Sequence, residues 1–401
     1  MAKKKILVLT STFPRWRNDT TPPFVFELEK RMVKDFEIHV LAPHFKGAKR
    51  FERLEGLKIH RFQYFWPAKL QKLCYEGGIL PNLKKNKFLY IQAITLMIFE
   101  LVSAIRIARK EKINLIHAHW IIPQGIIAVM LKNMFKIPYI ITVHGSDAYG
   151  LENGFLKKIK QVILTEAKSI TVVSNEIKDK LEKDFKNLKI DTISMGVDSN
   201  QFNPNRYDPK IKDEYSISGP FLLFVGRLTE VKGVKYLIKA IPLIVKKNPK
   251  VKLLIIGSGT LENELKELTH RLKLDKYIIF IGALTNSDLP KYYATADIFV
   301  GPSIKTKGGD REGFGLTFVE AAFSNCIPVG TKIGGIPNII QNNKTGFMVR
   351  EKNSQSIAKT VIRLLEDEKL RFNIKNNLRT ILVPKYRWET VTQKYLNLFR
   401  K

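Results

Sequence analysis

Two glutamates bracket a predicted helix start in the stretch GGDREGFGLTFVEAA, residues 308–322. Glu312 stands just before the glycine-rich turn, and Glu320 follows it eight positions later. The first N–H groups of a helix have no partner within that helix, so such a turn attracts anions. A carboxylate beside it is either solvated surface or part of a site that needs both groups. This segment is therefore the first candidate for chemistry.

Cations and a glycine-rich turn follow apolar runs further upstream. FVGRLTEVKG presents Arg227 and Lys232 beyond a predicted strand, and IIGSG presents Gly257 at a strand-to-helix turn. Two cations alone are ordinary surface on a chain with 68 Lys and Arg residues, and only their position after a strand distinguishes them. Gly257 belongs to half of a dinucleotide fingerprint, because the third glycine is missing at the required offset. The pattern is weak evidence for any specific nucleotide.

Three histidines lie at predicted strand ends. His144 precedes Gly145, whose missing side chain admits a close backbone approach, so His144 is a candidate for function as well as for packing. His117 and His119 form an HxH pair, which can bind a metal ion. Because no acidic third ligand is near them in the sequence, we interpret the pair as structural packing.

Short apolar runs alternate with helical patterns along the whole chain. A first series contains KILVLT, EIHVLAP, INLIHAH, YIITVHG, SITVVS and DTISMGV, and a second contains FLLFVGR, KLLIIGSG, IIFIGAL, DIFVGPS and IPVGTKIGG. Such alternation predicts an α/β fold with doubly wound parallel sheets. A polar, proline-marked break near residues 198–216 separates the series. We therefore predict two Rossmann-like domains facing across a cleft, 1–200 and 201–385, with chemistry in the loops at the carboxyl ends of the strands.

The composition is typical of a chain with two hydrophobic cores. It also fits a reducing compartment. The chain has 401 residues, 44% of them hydrophobic, and its two cysteines, Cys74 and Cys326, are far apart. A disulfide framework is therefore not expected. The basic start is followed by a short apolar run that ends in Thr and Pro without a small-residue cleavage pattern. We predict a buried first strand rather than a signal peptide, and a cytoplasmic location.

One apolar stretch, residues 88–110, has the length of a membrane span. Its polar residues recur at steps of three to five and draw a stripe along one side of a helix: Gln92, Thr95, Glu100, Ser103, Arg106 and Lys110. A spanning helix rarely carries an acid such as Glu100 in its middle. We predict a long amphipathic helix that packs on a sheet.

The formal net charge of +31 indicates either an anionic partner or an amino-acid composition that is generally rich in lysine. Basic residues are spread over both halves, but residues 41–110 hold 14 Lys and Arg against 4 Glu. Nucleic acid, an anionic membrane surface and phosphorylated substrates are all attracted by such a charge. The alternative is an organism whose proteins are generally rich in lysine.

Several of these motifs, taken in order, resemble one enzyme family. TVHGSDAY, MGVDSNQFNP, FVGRLTEVKGVKYLIKA, DIFVGPS and EGFGLTFVEA are similar to the retaining GT-B glycosyltransferases of family 4, and the resemblance runs through nearly the whole chain. It implies two Rossmann-like domains, the first binding an acceptor and the second a nucleotide-sugar. It also implies that a last helix, residues 386–401, crosses back to the first domain.

The resemblance implies roles for the candidate residues. The turn at residues 313–317 would bind the donor diphosphate through its amides, Arg227 and Lys232 would neutralise the leaving group, and Glu320 would bind the ribose. Glu312 would bind the transferred sugar's hydroxyls, and His144 would contact that sugar. The implied catalytic residues are His144, Arg227, Lys232 and Glu312. The implied donor-binding residues are Arg227, Lys232, Gly257, Gly282, Gly313, Phe314, Gly315, Leu316, Thr317 and Glu320.

Two features limit what the family pattern implies. No Asp-x-Asp element occurs, so we expect no metal ion and no cofactor, with cations and the helix start taking the metal's place. Many relatives have a Gly-Gly pair in the first loop, where this chain has DTTPPF. Pro22 and Pro23 have no amide hydrogen to offer a phosphate, so Thr20 or Thr21 would replace that contact.

Other functions remain open at this point. A nucleotide-sugar epimerase would share the fold and need no acceptor. A nucleic-acid-binding protein would explain the charge, but no recognisable motif for nucleic acid occurs. A nicotinamide-dependent enzyme would need the complete glycine fingerprint. We expect a nucleotide-sugar donor, a glycan or lipid-linked acceptor, and peripheral contact with an anionic membrane at its cytoplasmic face.

Overall fold

A computed structural model of the protein describes residues 3–17, 19, 21, 23–75, 78–150 and 154–400. The chain divides into two compact units. Unit 1 contains Met1–Ser194 and Thr392–Lys401, and unit 2 contains Met195–Val391. Each unit is built around one sheet, and one of the two series of apolar runs supplies most of the strands of each sheet.

Unit 1 contains an eight-stranded sheet. Its strands are β1 (Lys5–Leu9), β2 (Glu37–Pro43), β3 (Phe51–Leu54), β4 (Leu57–Phe62), β5 (Leu115–His119), β6 (Tyr139–Val143), β7 (Ser169–Val172) and β8 (Ile190–Thr192). The order is β3-β4-β2-β1-β5-β6-β7-β8, with every neighbouring pair parallel except β3 and β4. All residues of β5 and β6 are buried, as expected for central parallel strands covered on both faces.

Helices connect the parallel strands of unit 1. They are α1 (Phe24–Met32), α2 (Ile79–Lys85), α3 (Leu89–Glu111), α4 (Ile126–Phe135), α5 (Ser146–Tyr149), α6 (Gly154–Glu166) and α7 (Asn175–Asp184), with short helical turns at Ala68–Leu70 and Ile121–Gly125. The sheet order changes direction between β1 and β5. In open α/β sheets such a point opens a crevice at the carboxyl ends of the strands, where ligands bind.

Helix α3 packs on the sheet as predicted. Leu89, Leu96, Ala104, Ile107 and Ala108 are buried, and so are the polar Gln92 and Glu100. Two residues of the polar stripe therefore lie on the buried face. The face turned outward carries large apolar side chains instead. By length and composition α3 would also suffice to cross a membrane.

Unit 2 contains a six-stranded, fully parallel sheet. Its strands are β9 (Phe221–Val225), β10 (Lys252–Ile256), β11 (Ile278–Gly282), β12 (Ile298–Gly301), β13 (Ile327–Thr331) and β14 (Phe347–Val349). The order is β11-β10-β9-β12-β13-β14, so the direction changes between β9 and β12. The residues that follow β9 and β12 are thus expected to border a ligand site.

The helices of unit 2 complete the second layered fold. They are α8 (Pro209–Glu214), α9 (Val234–Ile238), α10 (Ile241–Lys247), α11 (Glu262–Arg271), α12 (Leu289–Thr295), α13 (Leu316–Phe323), α14 (Ile336–Ile339), α15 (Ser354–Glu366), α16 (Glu368–Asn377), α17 (Val383–Tyr386) and α18 (Trp388–Arg400), with turns at Pro204–Arg206, Glu230–Lys232 and Leu378–Leu382. Helix α18 begins in unit 2 and ends in unit 1. There Tyr395 and Phe399 are buried against His117 of β5.

Candidate active site

Three of the predicted donor-binding residues follow adjacent strands of unit 2. Arg227 lies two residues after β9, Gly257 directly follows β10, and Gly282 ends β11. The amide of Gly257 donates to the carbonyl of Gly282 over 2.8 Å, and the amide of Leu228 donates to the carbonyl of Ser258 over 2.9 Å. These bonds hold the loops after the three strands together. Arg227 is exposed beside them.

Lys232 and Glu312 form an ion pair although they lie 80 positions apart. Lys232 Nζ is 2.5 Å from Glu312 Oε2, and the Ser303 hydroxyl donates to the same oxygen over 3.1 Å. The side chains of Lys232 and Glu312 keep 16% and 12% of their surface exposed, so the pair is largely shielded but still reachable. The three residues come from the turn after β9, the loop after β12 and the turn before α13.

The charge state of Glu312 follows from these contacts. Burial raises the pKa of its carboxyl, but the charge and hydrogen bond of Lys232 lower it by more. The Ser303 hydrogen bond and the charge of Arg227 act in the same direction. The pKa of Glu312 therefore lies below its usual value, and the residue is a carboxylate at neutral pH.

Helix α13 begins directly after the Glu312 turn. Gly315 has φ +95°, a left-handed conformation that disfavours other residues, and a Cβ there would lie 2.9 Å from the Phe318 ring. Among the described residues, no oxygen accepts a hydrogen bond from the amides of Leu316 or Thr317. Phe314 is buried against Tyr386, which anchors the turn. The result is a helix start whose unsatisfied amides suit an anion.

Glu320 lies one helical turn into α13. Its Oε2 accepts a hydrogen bond of 3.0 Å from the hydroxyl of buried Tyr293. Burial raises the pKa of Glu320 to about 7, and the Tyr293 hydrogen bond and the charge of Lys232 only partly oppose this. The carboxyl therefore changes its ionisation near neutral pH, unlike that of Glu312.

The sequence reasoning missed three residues that support this cluster: Ser303, Tyr293 and Gly334. Gly334 has φ +58°, and a Cβ there would lie 1.8 Å from the carbonyl oxygen of Glu312. Only glycine thus lets the loop after β13 pack on the Glu312 turn. Ser303 ends the quoted motif DIFVGPS, and Gly334 belongs to the quoted run IPVGTKIGG, so both were visible in the sequence. Tyr293 gave no signal because its partner is set by helix packing.

His144 of unit 1 is the end of a chain of polar contacts. Its Nε2 is 2.9 Å from His119 Nδ1, and His119 Nε2 is 3.3 Å from Glu29 Oε1. The same Glu29 oxygen is 2.7 Å from His117 Nδ1. His117, His119 and Glu29 are fully buried, whereas His144 is partly exposed. The argument that the HxH pair lacks an acidic partner is therefore wrong, because α1 brings Glu29 from 88 positions away.

This chain of contacts determines the tautomer of His144. With Glu29 as a carboxylate that only accepts, His119 donates from Nε2 and so accepts at Nδ1. His144 must then donate from Nε2, which leaves its Nδ1 as an acceptor. Burial lowers the pKa of His144 to about 3 and that of His119 well below its usual value, and the neighbouring histidines act in the same direction. His144 is thus a neutral imidazole at physiological pH.

Within the described parts of the chain, two groups of side chains have atoms close enough to share a metal ion. Those of Glu29, His117 and His119 lie within 4.8 Å of one another, as do those of Glu37, His39 and Glu111. In the first group the same atoms already hydrogen-bond one another. In the second, the Lys58 ammonium lies 2.7 Å from Glu37 Oε1, and hydrogen bonding to it is the main reason that the pKa of Glu37 falls to about 2.

The first loop, where relatives have a Gly-Gly pair, is organised by Asp19. Arg15 donates to both Asp19 oxygens, over 2.9 and 2.6 Å. The Thr21 amide donates to Asp19 Oδ1 over 3.3 Å, so this amide is already engaged. Thr20 and Pro22 lie outside the described residues. The proposed replacement of the Gly-Gly contact stays a prediction.

The structure thus brings together the predicted residues of unit 2, while His144 belongs to unit 1. Arg227, Gly257 and Gly282 share the strand ends, and Lys232 joins Glu312 at the start of α13. Lys232 also acts electrostatically on Glu320. The arrangement offers cations and free amides for an anion and two carboxylates of different acidity for hydroxyl groups.

Two family models and several known proteins match most of the chain. Residues 23–201 match the family described as Glycosyltransferase Family 4, and residues 209–380 match Glycosyl transferases group 1. An uncharacterized glycosyltransferase of Methanocaldococcus jannaschii is 29% identical over 75% of this chain and 78% of its own. A GDP-mannose-dependent alpha-(1-6)-phosphatidylinositol monomannoside mannosyltransferase of Mycolicibacterium smegmatis is 23% identical over 90% and 89%.

Solved structures support the same fold. Sucrose-phosphate synthase of Thermosynechococcus elongatus superposes with a TM-score of 0.80 at 18% identity, covering 99% of this chain and 98% of its own. Anabaena HepE, solved in complex with UDP-glucose, has a TM-score of 0.74 at 16% identity and covers 99% of each chain. The predicted fold class is confirmed. The chain is an enzyme that belongs to the group 1 glycosyltransferases of the GT-B fold.

Proposed function

We propose that this enzyme transfers a sugar, with retention of configuration and without a metal ion, from a nucleotide-diphosphate sugar to a glycan or lipid-linked acceptor. The observation that carries the proposal is the Lys232–Glu312 pair beside the open amides of α13. The cation and the helix start of this cluster suit the diphosphate of such a donor and its bond to the sugar, and the carboxylate suits the sugar.

Each group has a distinct task in this proposal. Arg227, Lys232 and the amides of Leu316 and Thr317 neutralise the diphosphate as it becomes the leaving group. Glu320 accepts hydrogen bonds from the ribose hydroxyls. Glu312 accepts them from the transferred sugar, whose ring gains positive character as its bond to phosphate lengthens.

The same cluster supports the proposed metal independence. Elsewhere a divalent ion balances a diphosphate, and here the two cations and the helix start supply positive charge at that position. We assign the removal of the acceptor proton to an oxygen of the departing diphosphate.

His144 contacts the donor sugar in this proposal. Its neutral state, with Nε2 engaged by His119, leaves Nδ1 as a hydrogen-bond acceptor for a sugar hydroxyl. It does not act as an acid, because an imidazole with a pKa of about 3 holds no second proton at neutral pH.

The acceptor belongs to cell-envelope polysaccharide or glycoconjugate synthesis in this proposal. Two observations favour a lipid-linked acceptor: the basic stretch at residues 41–110 attracts anionic lipid, and a relative acts on a phosphatidylinositol mannoside. The enzyme would then work at the cytoplasmic face of the plasma membrane. Nucleic acid is not expected as a partner.

A panel of nucleotide-sugars tests the proposal. The purified enzyme should unfold at a higher temperature in the presence of its donor, because a ligand that binds only the folded state stabilises it. Glu320→Gln should reduce the protection, and a nucleoside monophosphate should protect less than the diphosphate. If no nucleoside diphosphate or nucleotide-sugar raises the unfolding temperature, the proposed function is wrong.

A further inference from the structure

Helix α3 turns a continuous apolar face toward solvent. Ile91 is 57% exposed, Ile94 62%, Ile98 52% and Val102 38%. These residues recur every three or four positions, so they lie along one side of the helix. Tyr90 and Phe99 border this side, and Phe88, directly before the helix, is 80% exposed. Six exposed apolar side chains on one helix form a patch of a kind that marks an interaction surface.

The opposite, buried face of α3 explains why the helix keeps this orientation. Gln92 Nε2 donates to the Leu70 carbonyl over 2.7 Å, and Gln92 Oε1 accepts from the Lys72 amide over 3.1 Å. Glu100 is fully buried. The helix packs with this face against α4 and strands β1, β2 and β4. Turning the apolar side inward would break the Gln92 bonds, so the outward apolar face is built into the fold.

Basic residues surround the apolar face at both ends. Lys84, Lys85 and Lys87 precede the helix core, and Arg106, Arg109 and Lys110 follow it. Glu100, buried on the other side, is the one acid between positions 78 and 110. A second copy of the chain would bring the same cations against this face and repel it. An anionic lipid surface offers both an apolar interior and negative headgroups.

The loop tied to α3 through Gln92 has the same character. Trp66 is 77% exposed and Leu70 is 43% exposed, and Lys69 and Lys72 lie beside them in the sequence. Tryptophan is enriched where proteins meet the membrane interface, because its ring is apolar and its N–H is polar. The loop therefore exposes the same combination of apolar and basic side chains.

We propose that α3 lies flat in the interface of an anionic bilayer, with Ile91, Ile94, Ile98 and Val102 inserted among the lipid chains. The face that packs on the sheet stays in the protein, so α3 does not cross the membrane. This inference rests on the proposed function, since it gives unit 1 a means of reaching a lipid-linked acceptor. It goes beyond attraction by charge, because it assigns part of the binding to apolar insertion.

Vesicle sedimentation of the full chain tests the proposal. The probe is phosphatidylcholine vesicles containing about 30% phosphatidylglycerol, a fraction sufficient for a strongly negative surface. Replacing Ile94 and Ile98 together by glutamine should weaken vesicle binding roughly 10- to 100-fold, because two inserted side chains are lost. Phe372→Gln is the matched control: Phe372 is 63% exposed on α16 of unit 2, and its replacement should leave binding unchanged.

Three outcomes would overturn the proposal. The first is that the double variant binds vesicles as tightly as the natural protein. The second is that the natural protein forms a dimer without vesicles and the double variant does not. The third is that the vesicle-bound protein resists extraction at alkaline pH, which indicates a spanning helix. Protection of both proteins by nucleotide-sugar against thermal unfolding is measured in parallel. If the double variant loses vesicle binding but is still protected by nucleotide-sugar, the membrane inference is supported. If the natural protein binds vesicles but no nucleotide-sugar protects it, the proposed function alone is refuted.

Discussion

The polar cluster around Glu312 and the one around Glu29 balance a buried carboxylate in different ways. Glu312 faces a permanent cation, Lys232, with Arg227 also lowering its pKa. Glu29 accepts from two imidazoles, those of His117 and His119, and one of its oxygens has no hydrogen-bond partner among the described residues. The first cluster is charged and partly exposed, and the second is fully buried.

This difference indicates that the Glu312 cluster can stabilise charge on a substrate, whereas the Glu29 cluster holds side chains in fixed orientations. A cation and a carboxylate held together in a shielded place can stabilise charge that develops during a reaction. A carboxylate between two imidazoles instead orders their protons and ring orientations, as the carboxylates that hydrogen-bond to metal-bound histidines do. We therefore expect substitutions at Glu312 to change turnover and substitutions at Glu29 to change stability first.

The largest expected effect belongs to Glu312. Glu312→Gln should lower kcat by about 10²- to 10³-fold, the size seen when one preorganised electrostatic contact is lost. Free nucleoside diphosphate should bind as before, because this carboxylate is assigned to the sugar. Steady-state kinetics and calorimetry with the diphosphate measure the two quantities. Loss of diphosphate binding, or unchanged turnover, would show that Glu312 does not contact the transferred sugar.

A substitution at Glu29 should act mainly on folding. Glu29→Gln should lower the free energy of unfolding by about 1–3 kcal/mol, because an amide oxygen is a weaker acceptor than a carboxylate and the new NH2 group replaces the unpartnered Oε2 in a buried place. Glu27→Gln is the control on the same helix: its ion pairs with Lys30 and Arg31 are partly exposed, so about 0.5 kcal/mol is expected. Denaturant unfolding compares them. Equal values for the two variants would contradict an ordering role for Glu29.

Glu320 should make donor binding depend on pH. Because burial raises its pKa to about 7, the carboxyl is protonated below that pH and ionised above it. The ionised form accepts two hydrogen bonds from the ribose, so nucleotide-sugar affinity should be several-fold higher at about pH 8 than at about pH 6. Glu320→Gln should weaken binding about tenfold at the higher pH and flatten the profile. A variant with the natural pH profile would exclude this assignment.

The smallest expected effect comes from chelation. If Lys232, Arg227 and the start of α13 neutralise the diphosphate, EDTA should leave kcat within about twofold of its untreated value, since no step needs a divalent ion. Activity that disappears in EDTA and returns with magnesium or manganese would contradict metal independence. The Glu29 group is too buried to exchange with solvent easily, so metal analysis of the purified protein completes this test.

The sequence was sufficient to predict those parts of the site whose residues are close together in the chain. The turn with Glu312, the helix start after Gly315 and Glu320 all lie within nine consecutive residues, so their spacing on one turn and helix was predictable. Arg227 and Lys232 were marked by their position after an apolar run. Their pairing was not, because the Lys232–Glu312 contact depends on how the loop after β9 meets the turn before α13.

In unit 1, contacts between residues far apart in the sequence could not be predicted. The HxH pair showed its histidines, but Glu29 reaches them only because α1 packs beside β5, and nothing in the local pattern points to that. The periodicity of residues 88–110 correctly predicted a helix with two unlike faces. It could not tell which face is inside, because periodicity measures the difference between faces and not the surroundings of each.

The sequence by itself therefore determined the fold class and the local elements of the site: alternating apolar runs require parallel sheets covered by helices, and glycines before a helix require a turn. Tertiary structure alone decided three matters: the Lys232–Glu312 pair, the place of Glu29 between two histidines, and the outward apolar face of α3. The physical reason is the same in each case. A side chain's partner, and hence its charge state and exposure, is set by packing between elements that are distant in the chain.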